Sequence, residues 1–229
     1  MTPLDRLHAG LSAADEGRYE EALREYIWFH EQALELEPAL YGVRRSFALA
    51  YWAELGKRYP AARDALIHTR DRKVASLRLG LRFRDSFRDV AAINHYLADL
   101  RCTAAMFAML AKLDDAFARQ CAVTALPALI DSGMFALACR FFPEPSKALD
   151  EHCARFNEDV DAAECEGRSS ERYLEACVCN YVESVRLLGA MLRGAGDPDA
   201  ANQLETAAVI GVRIPAVRES VRAVLLAST

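Results

Sequence analysis

The sequence predicts an all-α protein, on three observations. Apolar residues recur three and four positions apart along almost the whole chain, which is the spacing of amphipathic helices. Strand-like alternation of apolar and polar residues is almost absent. The 229 residues include 11 glycines and 8 prolines, below the usual share of about 12 % for the two together, while alanine, leucine, arginine and glutamate are abundant and favour helix.

The first predicted elements are two helix pairs within residues 3–78. One helix starts at Tyr19 and ends before Pro38, because proline cannot continue a helix. A second pair follows at 40–56 and 60–78, with the turn GKRYP between its members. The apolar stripe of the Tyr19 helix consists of Tyr19, Ala22, Leu23, Tyr26, His30, Ala33 and Leu34.

The middle of the chain, residues 86–142, is predicted to be helical but irregular. The stretch SFRD, Ser86 to Asp89, has the spacing of a capping box, in which the serine hydroxyl accepts from the Asp89 N–H and the acid accepts in return. We expect one long helix to follow this box. Its apolar stripe consists of Val90, Ile93, Leu97 and Leu100.

The remaining pattern predicts six further helices, which brings the total to about ten or eleven. The segments DSG, FFPEP, EGRSS, GAGDP and RIP separate them. No linker or low-complexity segment divides the chain, so residues 1–229 are predicted to form one helical-repeat domain with C-terminal helices over 146–229. The six helices are predicted at residues 115–131, 134–142, 146–166, 170–194, 198–211 and 215–227.

Part of the sequence repeats with a shift of 40 residues, since Gly10, Tyr19 and Ala22 recur as Ala50, Tyr59 and Ala62. With AGLSAADEGRYEEALREY and ALELEP, this pattern resembles the tetratricopeptide-repeat family of stacked helical hairpins. The residues that carry the resemblance are the small residue of the first helix, the turn, the two close-contact alanines and the final proline: Gly10, Gly17, Tyr19, Ala22, Ala33 and Pro38. The resemblance is clearest over residues 3–78 and implies an irregular α-solenoid of antiparallel hairpins, although the second helix is one turn longer than is usual in the family.

The resemblance also implies where a partner binds, because the first helices of such units line the inner surface. The lysine and asparagine with which some members hold a C-terminal carboxylate do not occur at these positions. We therefore expect an apolar groove for an amphipathic helix or an extended apolar segment, supplied by a partner or by the chain's own C-terminal helices. The groove positions are Leu4, Leu7, Leu11, Ala14 and Asp15, then Arg44, Phe47, Tyr51, Glu54 and Leu55; Arg44, Phe47, Tyr51 and Glu54 are the partner-binding candidates.

Trp28 is a further partner-binding candidate because it lies opposite the apolar stripe of its helix. Its helical neighbours are Glu21, Arg24, Glu25, Glu31, Gln32 and Glu35. Three interpretations remain open: another part of the chain covers this tryptophan, it contacts a partner or a second copy, or it is a surface tryptophan without a role. The second has physical support, since tryptophan is enriched among binding hot spots.

These features predict a non-catalytic protein–protein interaction module, acting as a scaffold, adaptor or chaperone-like protein. Its partner is expected to be another protein or a peptide, with a homodimer as a further option. Two alternatives remain open: a helical enzyme with a site around Asn94, His95 and the cysteines, and a small-molecule or peptide sensor. Asn94 falls on an apolar stripe, so a buried structural asparagine is the competing interpretation there.

No catalytic residue, cofactor or metal site is predicted. The Glu-x-x-His spacing of di-iron bundles is missing at His30, His68, His95 and His152, and no Walker, H-E-x-x-H or G-x-S-x-G motif occurs. The seven cysteines lack C-x-x-C spacing and are expected to be reduced and mostly buried. His152 beside Cys153 is the candidate Cys–His pair, although adjacent residues diverge by about 100° on a helix.

Charge and hydropathy exclude further classes. The formal charge of −5 gives no general attraction to nucleic acid. The basic block 70–88, which contains Phe83 and Phe87, has a pattern that could suit nucleic acid, but it fits a solvated helix face better. The longest uncharged run, 120–130, is too short to cross a bilayer. The first ten residues carry charges where a signal peptide is apolar. We therefore expect a cytoplasmic protein with no membrane and no nucleic-acid partner.

Overall fold

The computed structural model describes residues 1–81, 83–165 and 171–227, and every regular element in these residues is helical. The all-α prediction is therefore confirmed. The chain divides into two compact units, Met1–Ala125 and Leu126–Thr229, while a single repeat domain stays a prediction. In the described part of the chain, no helix combines the length and apolarity needed to cross a membrane.

The described residues contain thirteen α-helices and one 3-10 turn, against the ten or eleven helices predicted. Two predicted helices are each divided in two, and this accounts for the difference. The predicted break EGRSS, residues 166–170, lies outside the described residues. The helices are α1 Pro3–Asp15, α2 Tyr19–Leu36, α3 Tyr41–Arg45, α4 Phe47–Arg58, α5 Pro60–Arg78, α6 Arg84–Tyr96, α7 Leu100–Leu113, α8 Asp115–Asp131, α9 Phe135–Phe141, α10 Pro145–Cys165, α11 Glu171–Gly194, α12 Pro198–Ile210 and α13 Pro215–Leu226, and the 3-10 turn is Pro38–Leu40.

The first division falls at Ser46, between α3 and α4. The backbone of Ser46 leaves the helical region with φ −116° and ψ −93°, and its hydroxyl donates to the carbonyl of Gly42 at 2.9 Å. A serine that bonds to a nearby backbone carbonyl in this way offers the chain an alternative to a continuous helix. The predicted helix at 40–56 therefore begins with the short, separate helix α3.

The second division falls at Ala98, between α6 and α7. Ala98 has φ 55°, an uncommon conformation for a residue with a side chain, and the N–H of Asp99 closes the helix end on the carbonyl of Asn94 at 2.8 Å. The predicted capping box is also wrong, because Phe83 is the N-cap residue of α6. Ser86 and Asp89 lie inside the helix, and the Asp89 side chain is bound elsewhere.

Several residues on which the resemblance depends pack closely within the first unit. A Cβ added at Gly10 would lie 2.8 Å from Cε1 of Tyr26, so the glycine permits the close approach of α1 and α2. The rings of Tyr19 and Tyr59, which occupy equivalent repeat positions, lie 5.9 Å apart. Helix α4 contacts α1, α2, α5 and α6. The residues packed in this core include Tyr26, Phe29, Leu49, Trp52, Leu66 and Ile93.

The second unit packs around α11, which contacts α9, α10, α12 and α13. The rings of Phe156 and Tyr181 stack with their centroids 4.5 Å apart, and the Tyr181 hydroxyl donates to the carbonyl of Ala208 at 2.9 Å. Arg186 donates to the carbonyl of Val224 at 2.6 Å. Aromatic stacking and buried hydrogen bonds thus join α11 to three of its neighbours.

Candidate functional site

The predicted partner-binding face is carried by α4. Phe47 lies in its first turn with 61 % of its surface exposed, and Tyr51, one turn later, is half-buried against the core of the first unit. Glu54 is exposed and pairs with Lys57 at 2.6 Å. Leu7, Ala14 and Leu55 are buried. The exposed residues of the predicted groove are thus Leu4, Asp15, Phe47 and Glu54, and Phe47 is the aromatic residue among them.

Arg44, which the resemblance assigned to the groove surface, lies buried instead, with 7 % of its surface exposed. The short helix α3 directs its side chain into the first unit. There the guanidinium donates to the carbonyl of His30 at 2.8 Å and to the carboxylate of Asp89. The predicted role of Arg44 on an open surface is corrected accordingly.

Asp89 is the centre of a buried ion cluster that the sequence did not predict. Besides Arg44, Arg45 donates to its Oδ1 from Nε at 2.8 Å, and Lys73 donates to its Oδ2 from Nζ at 2.8 Å. Burial acts to raise the pKa of Asp89, but the charges of Arg44 and Lys73 and the hydrogen bonds from Lys73 and Arg45 outweigh it and lower that pKa to about 2. Three cations from α3 and α5 thus share one ionised carboxylate of α6.

His30 lies beside this cluster on α2, with only 2 % of its surface exposed. Neither of its ring nitrogens has a hydrogen-bond partner among the described residues. Burial, followed by the charge of Arg44, lowers the pKa of His30 to about 3. The imidazole is therefore neutral at physiological pH, and its two polar atoms are unsatisfied, which is uncommon for buried groups.

A cavity of about 340 Å³ opens at this point, between α2, α3, α5 and α6. This volume lies within the usual range for small-molecule pockets, about 300–1,000 Å³. We call it the His30 cavity. It is lined by His30, Glu31, Arg44, Thr69, Arg72, Lys73, Ser76 and Ser86.

The sequence held two partial signals of this site. His30 falls on the apolar stripe of α2, which predicts its burial, and Arg72 and Lys73 belong to the basic block 70–88. Neither signal shows that these residues meet Arg44 and Asp89. The proximity of these residues depends on the packing of four helices and on the break at Ser46.

Trp28 is half-buried and packs against the core of the first unit. The guanidinium carbon of Arg6 lies 3.9 Å from the centroid of its ring, and the same arginine binds the carboxylate of Glu25 through Nε at 2.5 Å. The chain itself therefore covers part of this tryptophan. Part of the ring remains exposed.

Asn94 and His95, the residues proposed for the enzyme alternative, differ in their burial. Asn94 is fully buried, as its stripe predicts; its Nδ2 donates to the Thr103 hydroxyl at 3.0 Å and its Oδ1 accepts from Arg70 at 3.3 Å. His95 is exposed and contacts the ring of Tyr96 edge-on at 5.2 Å. Asn94 thus has internal partners, and His95 points to another surface.

The cysteines differ from the prediction in their burial. Cys121 is buried, whereas Cys102 and Cys179 are exposed and three others are half-buried; the side chain of Cys165 lies outside the described residues. Burial raises the pKa of Cys121 to about 11 and also raises the pKa of Cys139 and Cys177, so these thiols are protonated at neutral pH. In the described residues no three metal-ligating side chains are grouped to hold an ion.

His152 of the candidate Cys–His pair lines a cavity of about 210 Å³ with Cys177 of α11 rather than with its neighbour Cys153. Its Nδ1 lies 3.3 Å from a guanidinium nitrogen of Arg155. Burial, followed by the charge of Arg155, lowers the pKa of His152. Burial also raises the pKa of the Cys177 thiol that lines the same cavity.

Several cations of the basic block are engaged within the first unit. Arg70 binds Asp71 and Asp99 at 2.8 and 3.3 Å, Arg72 binds Glu31 at 2.5 Å, and Arg88 approaches Asp85 at 3.4 Å. The block thus forms ion pairs along the helix faces, whereas its structural interpretation predicted solvated arginines. Arg82 of this block lies outside the described residues.

Comparison of the chain with models of known protein families, with curated proteins and with solved structures finds no match. Functional proposals therefore depend on the arrangement of its own residues.

Proposed function

We propose that the chain is a non-catalytic protein–protein interaction module that binds an apolar helical or extended segment of a partner. The observation that carries this proposal is the exposure of Phe47 in the first turn of α4. A patch of exposed large apolar side chains often indicates an interaction site, whereas single scattered ones are normal on protein surfaces.

Two further aromatic residues of the first unit are exposed. Tyr41 of α3 and Phe83, which precedes α6, are 58 % and 64 % exposed. Arg45 links these two elements, because its guanidinium lies 5.9 Å from the Tyr41 ring and binds Asp85 of α6 at 3.0 Å. Aromatic residues beside an arginine match the usual composition of binding hot spots.

The contacts of α4 with α1 and α6 support the proposed array of stacked helical hairpins. In such an array the first helices of successive units form a continuous surface. A partner segment on this surface meets Phe47 first, with Tyr51 beneath it on the same helical face. The cytoplasmic setting remains part of the proposal.

A photo-crosslinking residue at position 47 tests the proposal in cells that produce the full chain. We expect it to crosslink one defined protein, and the substitution Phe47→Ser to weaken binding of that purified protein by about 30-fold or more, the effect of a hot-spot residue. Because Phe47 is exposed, its replacement is expected to change the free energy of unfolding by less than about 1 kcal/mol.

Leu113→Ser is the matched control, since Leu113 is 58 % exposed at the end of α7. This variant should retain full binding. If the partner is a second copy, the purified wild-type chain should dimerise in sedimentation experiments and Phe47→Ser should not. Equal crosslinking at positions 47 and 113, or full binding by Phe47→Ser, would refute the assignment of this face.

A second candidate function, a small-molecule sensor, is favoured by the His30 cavity. Its buried, unpartnered imidazole and its surrounding cations resemble the few convergent polar groups that orient ligands in binding pockets. The enzyme alternative has no comparable support, because Asn94 is bound internally and His95 lies exposed.

A further inference from the structure

The His30 cavity has an excess of positive charge. Arg44, Arg72 and Lys73 line it together with one acidic residue, Glu31. Glu31 is used by Arg72, and the carboxylate of Asp89 is shared by Arg44, Lys73 and Arg45. Arg44 is buried and Lys73 half-buried, and both share the carboxylate of Asp89 with Arg45. Since buried cations are normally matched by acids, this sharing favours a further anion.

Hydrogen-bond donors also lack acceptors there. Nε of Arg44 has no partner among the described residues, and the same is true of both ring nitrogens of His30. In a neutral imidazole one nitrogen carries a proton and donates a hydrogen bond, and the other nitrogen accepts a hydrogen bond. A ligand that brings several acceptor oxygens therefore satisfies donors that the folded chain leaves unsatisfied.

We propose that the His30 cavity binds the phosphate group of a small phosphorylated molecule. Lys73 and Arg72 supply positive charge and donate to the phosphate oxygens, and His30, whose ring nitrogens are covered by the surrounding chain, turns its ring to donate from the protonated nitrogen. The hydroxyl-bearing residues Ser76 and Ser86 line the same cavity and can donate to the remaining oxygens or to the molecule that carries the phosphate. The inference rests on the second candidate function, small-molecule sensing, and is independent of partner binding at Phe47.

A phosphate fits the donors better than a carboxylate does. Its oxygens point in several directions, and the donors come from α2, α5 and α6 on different sides of the cavity. Arginine and lysine are the usual partners of phosphate, and their charge-assisted hydrogen bonds are the stronger ones. The volume of about 340 Å³ also leaves space for part of the molecule that carries the phosphate.

Thermal unfolding of the full chain with inorganic phosphate tests the inference, with acetate at equal ionic strength as the reference anion. We expect phosphate to raise the midpoint of unfolding and acetate to leave it unchanged, because a ligand that binds the folded state stabilises it. The imidazole nitrogen resonances of His30 should shift with phosphate concentration. The chain has only five histidines, so the His30→Leu spectrum assigns them.

Variants locate the effect. Arg72→Gln alters an exposed ion pair and should leave the fold intact, and both Arg72→Gln and Lys73→Gln should weaken phosphate binding by about tenfold or more, as expected for lost charge-assisted hydrogen bonds. Lys112→Gln removes an exposed lysine of α7 and should bind as the wild type does. His30→Leu should be more stable than the wild type without phosphate and should gain nothing from phosphate.

Equal stabilisation by phosphate and acetate would overturn the inference, and so would equal losses in Lys73→Gln and Lys112→Gln. Mass spectrometry of compounds released from the natively purified, denatured chain separates this failure from failure of the sensing function. A stoichiometric compound without a phosphate group would refute the inference and retain sensing. No released compound together with no phosphate effect would refute both.

Discussion

His30 should make the stability of this protein strongly dependent on pH. Burial holds its pKa at about 3 in the folded chain, against about 6.5 when unfolded. On acidification the unfolded chain therefore binds the proton first, and the free energy of unfolding falls by up to about 1.4 kcal/mol per pH unit between these two values. From about pH 7 to pH 4 the loss due to His30 alone is about 3 kcal/mol.

The substitution His30→Leu isolates this contribution. It removes the titrating ring, keeps an apolar contact to the Trp52 ring, which lies 6.0 Å from that of His30, and removes two unsatisfied buried nitrogens. At neutral pH we expect it to raise the free energy of unfolding by about 1–3 kcal/mol. Its advantage over the wild type should then grow by about 3 kcal/mol on acidification to about pH 4.

Urea titrations followed by circular dichroism at several pH values measure both effects. The control is His68→Leu, because His68 is exposed on α5; this variant should follow the pH dependence of the wild type. Two outcomes would refute the reasoning: a difference between wild type and His30→Leu that does not change with pH, or a His30→Leu variant that is less stable than the wild type at neutral pH.

Two further substitutions test the ion cluster and the cover of Trp28. Asp89→Asn leaves the cations of the cluster without their shared buried carboxylate and should lower the free energy of unfolding by about 3–5 kcal/mol. The control Asp85→Asn changes a side chain that is 71 % exposed and should lower it by less than about 1 kcal/mol. Equal losses of the two variants in urea titrations would contradict the buried cluster. Trp28→Ala removes half-buried packing and the contact with Arg6. It should lower the free energy of unfolding by about 1–3 kcal/mol without changing self-association. Weaker self-association at unchanged stability would instead assign Trp28 to a contact with a partner.

The helices could be predicted from the sequence because their causes are local. The apolar spacing of α2 and the proline at 38 set its extent, and the small residue Gly10 lies against Tyr26. The division at Ala98 could not be predicted in this way, since Val90, Ile93, Leu97 and Leu100 continue one helical stripe across it. No glycine or proline marks the position, and an alanine adopts the positive φ.

The ion cluster and the His30 cavity depend on tertiary contacts that periodicity does not encode. Asp89 illustrates the limit: its spacing from Ser86 satisfies a local capping rule, yet in the fold it binds three cations from α3 and α5. Arg44 was assigned to an open groove by its repeat position, but the break at Ser46 gives it a separate short helix and a buried setting. For Asp89, charges distant in sequence outweigh the local capping pattern, and for Arg44 a local break in the helix changes the position that the repeat pattern predicts.

The same cluster also favours ligand binding over a purely structural role as the explanation of the His30 cavity. Apolar residues of similar volume often replace buried ion pairs without loss of stability, and an unpartnered buried imidazole lowers stability further. A chain selected for stability alone has no use for both features side by side on the wall of an open cavity. Natural proteins break such rules chiefly at functional sites, and the phosphate proposed above would bring negative charge and acceptor oxygens to groups that have no partner among the described residues.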